Sequence, residues 1–153
     1  MKRISPNVLV IDDSKQDQET ICLYLKDIAN VKTVSSGEEA VECVKRFAID
    51  VVLLDLEMPF MDGFQTLESL RKLEECINVP VIMVTGVCDR ETVLNSVIMG
   101  IDGYIVKPIN KVELQNKVLI KNVSQNLSDI HFFGRHFHQL AAQLPGLSFI
   151  HYY

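Results

Sequence analysis

No stretch of about 18 consecutive apolar residues occurs in this 153-residue chain, so no membrane-spanning helix is expected. Basic clusters are missing too. Fifteen Lys and Arg are outnumbered by twenty Asp and Glu, for a formal net charge of −5. No phosphate-tracking surface results, and direct DNA binding is not expected. Neither G-x-G-x-x-G nor G-x-x-x-x-G-K-[ST] occurs, which removes the usual nucleotide cradles. Cys22, Cys43, Cys76 and Cys88 form no C-x-x-C pair. The start, Met1-Lys2-Arg3-Ile4-Ser5-Pro6, leads into an apolar run broken by Asp12-Asp13, which is not the pattern of a secretory signal. The thiols are therefore expected to be reduced and to occupy core or boundary positions in a cytoplasmic protein.

What is present is a hydrophobic content of 48%, enough for a substantial core. The length suits one domain with an appendage. Five short segments read as strands: the apolar runs Val8-Leu9-Val10-Ile11, Val51-Val52-Leu53-Leu54, Val81-Ile82-Met83-Val84 and Tyr104-Ile105-Val106, together with residues 31–34. Val51-Val52-Leu53-Leu54 is too short for a helix and rich in β-branched residues, as a strand buried on both faces should be. Helical patterns alternate with them. Ser14 caps a helix near 15–29 that carries Ile21, Leu25 and Ile28; Ser36 and Glu39 fit a capping box for a helix to about Phe47. A third helix follows Asp62-Gly63, carrying Phe64, Leu67, Leu70 and Leu73. Asp89 caps a fourth, with Gly100 at its end, and Asn110 caps a fifth carrying Val112, Leu114, Val118 and Leu119. Five βα units predict an α/β fold, doubly wound, with a parallel five-stranded sheet.

The chemistry gathers at the strand ends. Strand one ends in Asp12-Asp13, strand three in Asp55, strand four in Thr85 and strand five in Lys107. Open α/β sheets bind their ligands along this carboxyl edge. A strand-end Asp taken alone is a turn or cap residue. Three carboxylates in one crevice, however, need raised pKa values or a cation. Hard oxygen donors suit Mg²⁺, with Mn²⁺ as a substitute. Lys107 adds a fixed positive charge and Thr85 a hydroxyl. Metal, ammonium and hydroxyl together describe a site for phosphoryl transfer to a carboxylate.

Ile11-Asp12-Asp13-Ser14, Leu54-Asp55-Leu56-Glu57-Met58-Pro59-Phe60-Met61-Asp62-Gly63, Val84-Thr85-Gly86 and Tyr104-Ile105-Val106-Lys107-Pro108 resemble the motifs of two-component response-regulator receiver domains, of the chemotaxis-regulator type. The resemblance covers about residues 6–123. It implies a flavodoxin-like (βα)5 fold with strand order 2-1-3-4-5, an order for which a chemotaxis receiver is a standard example. It implies that Asp55 is the phosphoacceptor, supplied by a sensor histidine kinase or phosphotransfer protein. By the same resemblance, Asp13, Asp55 and the backbone carbonyl of Glu57 bind Mg²⁺ directly, and Asp12 acts through water. Lys107 pairs with Asp55 and then with the phosphoryl group, and Thr85 hydrogen-bonds a phosphoryl oxygen. Tyr104 matches the switch aromatic that turns inward, and Lys107-Pro108 matches a bond that is usually cis. Gly86 stands where a side chain would crowd the phosphate. Glu57 occupies the variable position two beyond the acceptor that influences phosphoryl lifetime.

Two other functions are weighed. A degenerate receiver, acting as an interaction module without phosphorylation, conflicts with the intact acidic pair, acceptor, Thr85 and Lys107. Asp55-Leu56-Glu57 also loosely resembles the nucleophile motif of haloacid-dehalogenase-like phosphatases. Those carry D-x-D, normally on the first strand, and turn over continuously; a receiver takes one phosphoryl group per chain and is not otherwise an enzyme.

The receiver unit is expected to span residues 1–123, followed by a tail, 124–153. The tail holds all four histidines, four of the seven Phe and zero formal charge, and it is too short for a DNA-reading domain. Ile120, Val123, Leu127, Ile130, Gly134, Phe137, Ala141 and Leu144 recur at alternating spacings of three and four, a heptad seam that Pro145-Gly146 would stop. It reads either as a helix folded onto its own domain or as a signalling helix pairing two chains. Residues 147–153, apolar and aromatic, suggest continuation into an output domain. A second dimer surface is the face built from residues 89–123.

Overall fold

The computed structural model describes residues 5–124. Ten elements alternate along it: β1 (Asn7–Ile11), α1 (Lys15–Leu25), β2 (Asn30–Val34), α2 (Gly37–Arg46), β3 (Val51–Leu54), α3 (Gly63–Arg71), β4 (Val81–Thr85), α4 (Arg90–Ile98), β5 (Gly103–Val106) and α5 (Lys111–Ser124). All strand pairings are parallel, and the sheet order is β2-β1-β3-β4-β5. The predicted flavodoxin-like arrangement is the observed one.

Side chains of a strand alternate between faces, and the two halves of the core follow that period. Val8, Val10, Val51, Leu53, Ile82, Val84 and Ile105 point to one face, where Ile21 and Leu25 of α1 and Leu114 and Val118 of α5 cover them. Leu9, Ile11, Val52, Leu54, Val81 and Met83 point to the other, under Ala40 and Val44 of α2, Leu67 and Leu70 of α3, and Val93 of α4. Removing each such side chain from water contributes roughly 1.5–3 kcal/mol. With both faces covered, only the sheet's two edges and two ends remain open.

The helix starts are fixed by side-chain caps. Ser14, Ser36, Asp62 and Asp89 each accept an N–H from the first turn of their helix, and Asn110 accepts from Glu113. Three local readings need correction. Glu39 accepts the N–H of Ser35, not that of its box partner Ser36, while Asp62 and Gln65 form the reciprocal box that sequence alone did not single out. Helix α1 also stops at Leu25 instead of 29, because Ile28 and Ala29 both donate to the Leu25 carbonyl as the chain turns to bring Asn30 onto Pro6. Leu73 lies past the end of α3, in a turn closed onto Leu70. Gly100, at φ 81, terminates α4 as its spacing predicted. The seam beyond Ser124, the tail histidines and the C-terminal helical extension lie outside the described residues.

Among the cysteines, Cys76 is buried and Cys22 and Cys43 lie at the boundary, but Cys88 is exposed. The core-or-boundary reading fails there because Cys88 sits in the loop between β4 and α4, one residue before the cap.

Candidate functional site

The carboxyl ends of β1, β3 and β5 meet because these strands lie close together in the sheet order. Asp55 extends the β1–β3 pairing by donating its N–H to the Ile11 carbonyl at 2.9 Å, and Asp12 donates to the Val34 carbonyl at 3.2 Å. Both backbones are thus held by the sheet itself. Carboxylate oxygens of Asp12, Asp13 and Asp55 lie within 4.8 Å of one another, Asp12 and Asp55 buried and Asp13 exposed. The predicted acidic cluster is therefore assembled. Its all-oxygen donor set, at one open edge, is the chemistry a small divalent cation requires.

Lys107 reaches in from the end of β5. Its Nζ donates to Asp12 Oδ2 at 2.8 Å, Asp17 Oδ2 at 2.8 Å and Asp55 Oδ2 at 3.2 Å. Burial disfavours the charge on this ammonium, but the hydrogen bonds it donates to Asp12 and Asp17 and the nearby charge of Asp55 outweigh it, and its pKa is raised. Lys107 therefore stays protonated. The Asp12 carboxyl is pushed up by burial, more than hydrogen bonds from Lys107 and the Ser14 N–H pull it down. The peptide bond Lys107-Pro108 is cis.

Asp17 is the site residue that sequence reasoning missed. It lies in the first turn of α1 and is separated from Lys107 by 90 positions. The only signal in the sequence is an acid at a helix start, which the helix dipole explains by itself.

The loop after β3 is tied to the acceptor strand. Glu57 donates its N–H to Asp55 Oδ1 at 3.3 Å while its side chain is exposed. Gly63 donates to the Leu56 carbonyl at 2.9 Å. A Cβ on Gly63 would lie 2.4 Å from the Asp55 carbonyl oxygen, so glycine is needed for close approach of α3 to the strand end. At Gly86 a Cβ would meet nothing within 4 Å. No neighbouring protein atom excludes a side chain there.

Thr85 is fully buried at the end of β4, and its hydroxyl accepts the Val87 N–H at 3.3 Å. Tyr104 is 2% exposed, and its hydroxyl donates to the carbonyl of the same Val87. The ring is therefore inward. Burial first, then the charges of Asp89, Cys88 and Asp55, raise the phenol's pKa, so it stays a donor. One loop residue is held by both Thr85 and Tyr104.

A family model for the response regulator receiver domain matches residues 8–119. The chain is similar to the cell cycle transcriptional regulator CtrA of Caulobacter vibrioides, 37% identical over 108 residues, covering 70% of this chain and 46% of CtrA. It thus spans about half the length of that relative. It is also similar to chemotaxis protein CheY-3 of Vibrio cholerae, 31% identical over 113 residues, covering 72% of this chain and 87% of CheY-3. Among solved structures, the receiver domain of Francisella response regulator 1452 matches with a TM-score of 0.73 at 30% identity, covering 80% of this chain and 100% of that one. The receiver domain of sensor histidine kinase PA1611 from Pseudomonas aeruginosa, with magnesium coordinated in its active-site cleft, matches at 0.72 and 26% identity, covering 78% and 99%. With the fold, the acidic cluster and these matches in agreement, the chain belongs to the response regulator receiver domain family.

Proposed function

We propose that Asp55 accepts a phosphoryl group from a phosphohistidine on a sensor histidine kinase or phosphotransfer protein. The observation that carries this reading is Lys107 Nζ on Asp55 Oδ2 at 3.2 Å, beside the clustered carboxylates of Asp12 and Asp13. A carboxylate oxygen of Asp55 attacks phosphorus. The P–N bond breaks, and its electron pair returns to the imidazole nitrogen, which takes a proton from solvent. Hydrolysis later reverses the modification: water attacks phosphorus, the P–O bond to Asp55 breaks, and inorganic phosphate leaves. The protein acts as a signalling domain, its chemistry confined to its own phosphorylation and dephosphorylation.

Asp13, Asp55 and the Glu57 carbonyl would hold Mg²⁺ directly, and Asp12 through water; Mn²⁺ suits the same oxygens. The cation supplies neutralisation of the charge that develops on the phosphoryl oxygens. Lys107 would serve the same charge, exchanging a carboxylate partner for a phosphoryl oxygen. The Thr85 hydroxyl donates to another. Because Thr85 and Tyr104 both hold Val87, movement of Thr85 toward Asp55 is felt in the loop before α4. That gives a bistable element for the added negative charge to bias. Its readout is the face formed by residues 89–123, through a partner or a second copy. The receiver unit is taken as residues 1–123, with 124–153 leading to pairing or output. The cytoplasm is the compartment this chemistry implies, and no helix among the described residues is long and apolar enough to cross a membrane.

The test is intact mass after incubation with Mg²⁺ and phosphoramidate. Wild type is expected to gain one phosphoryl group and Asp55→Ala none. An equal gain in both contradicts the assignment.

A further inference from the structure

Phe60 has a conformation and an exposure that folding does not account for. Among the described residues it is the non-glycine residue with positive φ, at 68°. The Met61 N–H donates to the Pro59 carbonyl at 2.9 Å and closes a three-residue turn around it. Turns of this hand are rare, and a bulky aromatic is among the residues least suited to the left-handed region. Glycine or asparagine would serve the turn without strain. The ring gives nothing back by packing, because Phe60 is 100% exposed. A strained backbone and a bare aromatic at one position point to a contact outside the chain.

The position of the loop indicates what makes that contact. Helices cover both faces of the sheet, so the buried Asp55 is approached along the carboxyl edge. A small phosphodonor needs only the crevice. A protein whose imidazole must reach Asp55 has to lay its surface over the rim loops. The loop bearing Phe60 is held rigidly to the acceptor, through the Gly63–Leu56 hydrogen bond, the Asp62–Gln65 box and the close approach of Gly63 to the Asp55 carbonyl. The loop backbone that carries Phe60 is thereby tied to the strand end that carries the reacting carboxylate. Around it, Pro59 adds exposed apolar surface, while Glu57 and Asp62 add exposed carboxylates. An aromatic centre with a charged rim is the composition of an interface anchor.

We propose that Phe60 is the residue by which the phosphohistidine-bearing donor protein docks beside Asp55, its ring entering an apolar pocket rimmed by basic side chains. This inference rests on the reading of Asp55 as the phosphoacceptor.

The experiment compares the full chain with Phe60→Gly, Phe60→Asn and Phe60→Leu. Gly and Asn suit the backbone, so both variants are expected to fold. Initial rates of label transfer are measured from phosphoramidate with Mg²⁺. They are then measured from each purified, autophosphorylated histidine kinase and each phosphotransfer protein encoded with this chain. From phosphoramidate, all variants are expected to match wild type. From the donor protein that labels wild type fastest, Phe60→Gly and Phe60→Asn are expected to be slower by about tenfold or more, through a higher half-saturating concentration, with Phe60→Leu between. Equal rates from that donor would overturn the inference. So would equal rates accompanied by Phe60-dependent self-association in sedimentation, which would assign the ring to a second copy. If phosphoramidate labels wild type but no donor protein does, the docking inference fails alone. If phosphoramidate labels Asp55→Ala as well as wild type, the acceptor reading fails and takes the inference with it.

Discussion

Lys107→Ala is expected to lower both the stability of the metal-free protein and its rate of phosphorylation. Lys107 is the ammonium shared by Asp12, Asp17 and Asp55 at 2.8, 2.8 and 3.2 Å. Two of those side chains are nearly buried, Asp12 at 2% and Asp55 at 7% exposure. Removing one partner of a buried ion pair typically costs ~3–5 kcal/mol, because the remaining charge is left uncompensated. Lys107 itself keeps 18% exposure and Asp17 31%, so water screens part of the loss, and a decrease of about 2–3 kcal/mol is expected at neutral pH. The sign of the pH dependence follows from Asp12. Its folded pKa already lies above 3.8 through burial, and the variant loses the Lys107 hydrogen bond that lowers it. The folded state then binds a proton at higher pH than the unfolded state does, so acidification toward that ordinary value favours folding. The deficit against wild type should therefore shrink as pH falls. Urea unfolding in EDTA at neutral and mildly acidic pH measures this, and a deficit that grows on acidification would contradict it. Addition of Mg²⁺ should also narrow the gap, since a cation replaces the missing charge. Phosphorylation by phosphoramidate should slow by ~10²-fold, the scale of losing one preorganised donor to a developing anion.

Gly63→Ala is expected to be the most disruptive single methyl group near the site. The added carbon would stand 2.4 Å from the Asp55 carbonyl oxygen and 2.7 Å from the Leu56 Cα, both backbone atoms. Neither can rotate away, so α3 or the end of β3 must shift. Overpacking of this kind costs typically ~1–3 kcal/mol. Any shift of β3 displaces Asp55 from Lys107, and the phosphorylation rate should fall with the stability. Gly86→Ala is the matched control. Its Cβ would meet no protein atom within 4 Å, so stability should stay within about 0.5 kcal/mol of wild type. Slower phosphorylation of Gly86→Ala at unchanged stability would attribute the glycine to room for the phosphoryl group. An unfolding midpoint for Gly63→Ala equal to that of Gly86→Ala would contradict the close-approach argument.

The inner strands were legible because burial on both faces leaves no room for polar residues within them, whereas β2, at the sheet edge, keeps Lys32 and Thr33. Val51 to Leu54 is the clearest case, buried throughout. The same logic exposes the site, since polar residues return as each strand leaves the core: Asp12, Asp55 and Lys107 come together as their positions in the sheet order require. Asp17 was not legible, because its role depends on α1 lying beside the end of β5, a contact across 90 residues. The turn after Asp55 was legible as a turn, but not in its use of residues. A reader of Pro59-Phe60-Met61-Asp62-Gly63 would give any left-handed position to Gly63. Instead Phe60 carries the positive φ, and Gly63 is spent on proximity to the Asp55 backbone. The end of α1 was misjudged because the periodic apolar residue Ile28 belongs to the turn that aligns β2, a constraint set by Pro6 far upstream.

The most direct measurement of the central claim is a crystal structure of the full chain grown with Mg²⁺ and beryllofluoride, a stable mimic of the phosphoryl group. The expected result is beryllium bonded to a carboxylate oxygen of Asp55, Lys107 Nζ and the Thr85 hydroxyl on fluorine, and a cation among Asp13, Asp55 and the Glu57 carbonyl. Beryllofluoride bonded to Asp12, Asp13 or Asp17, or absent while the cation is bound, would contradict the account.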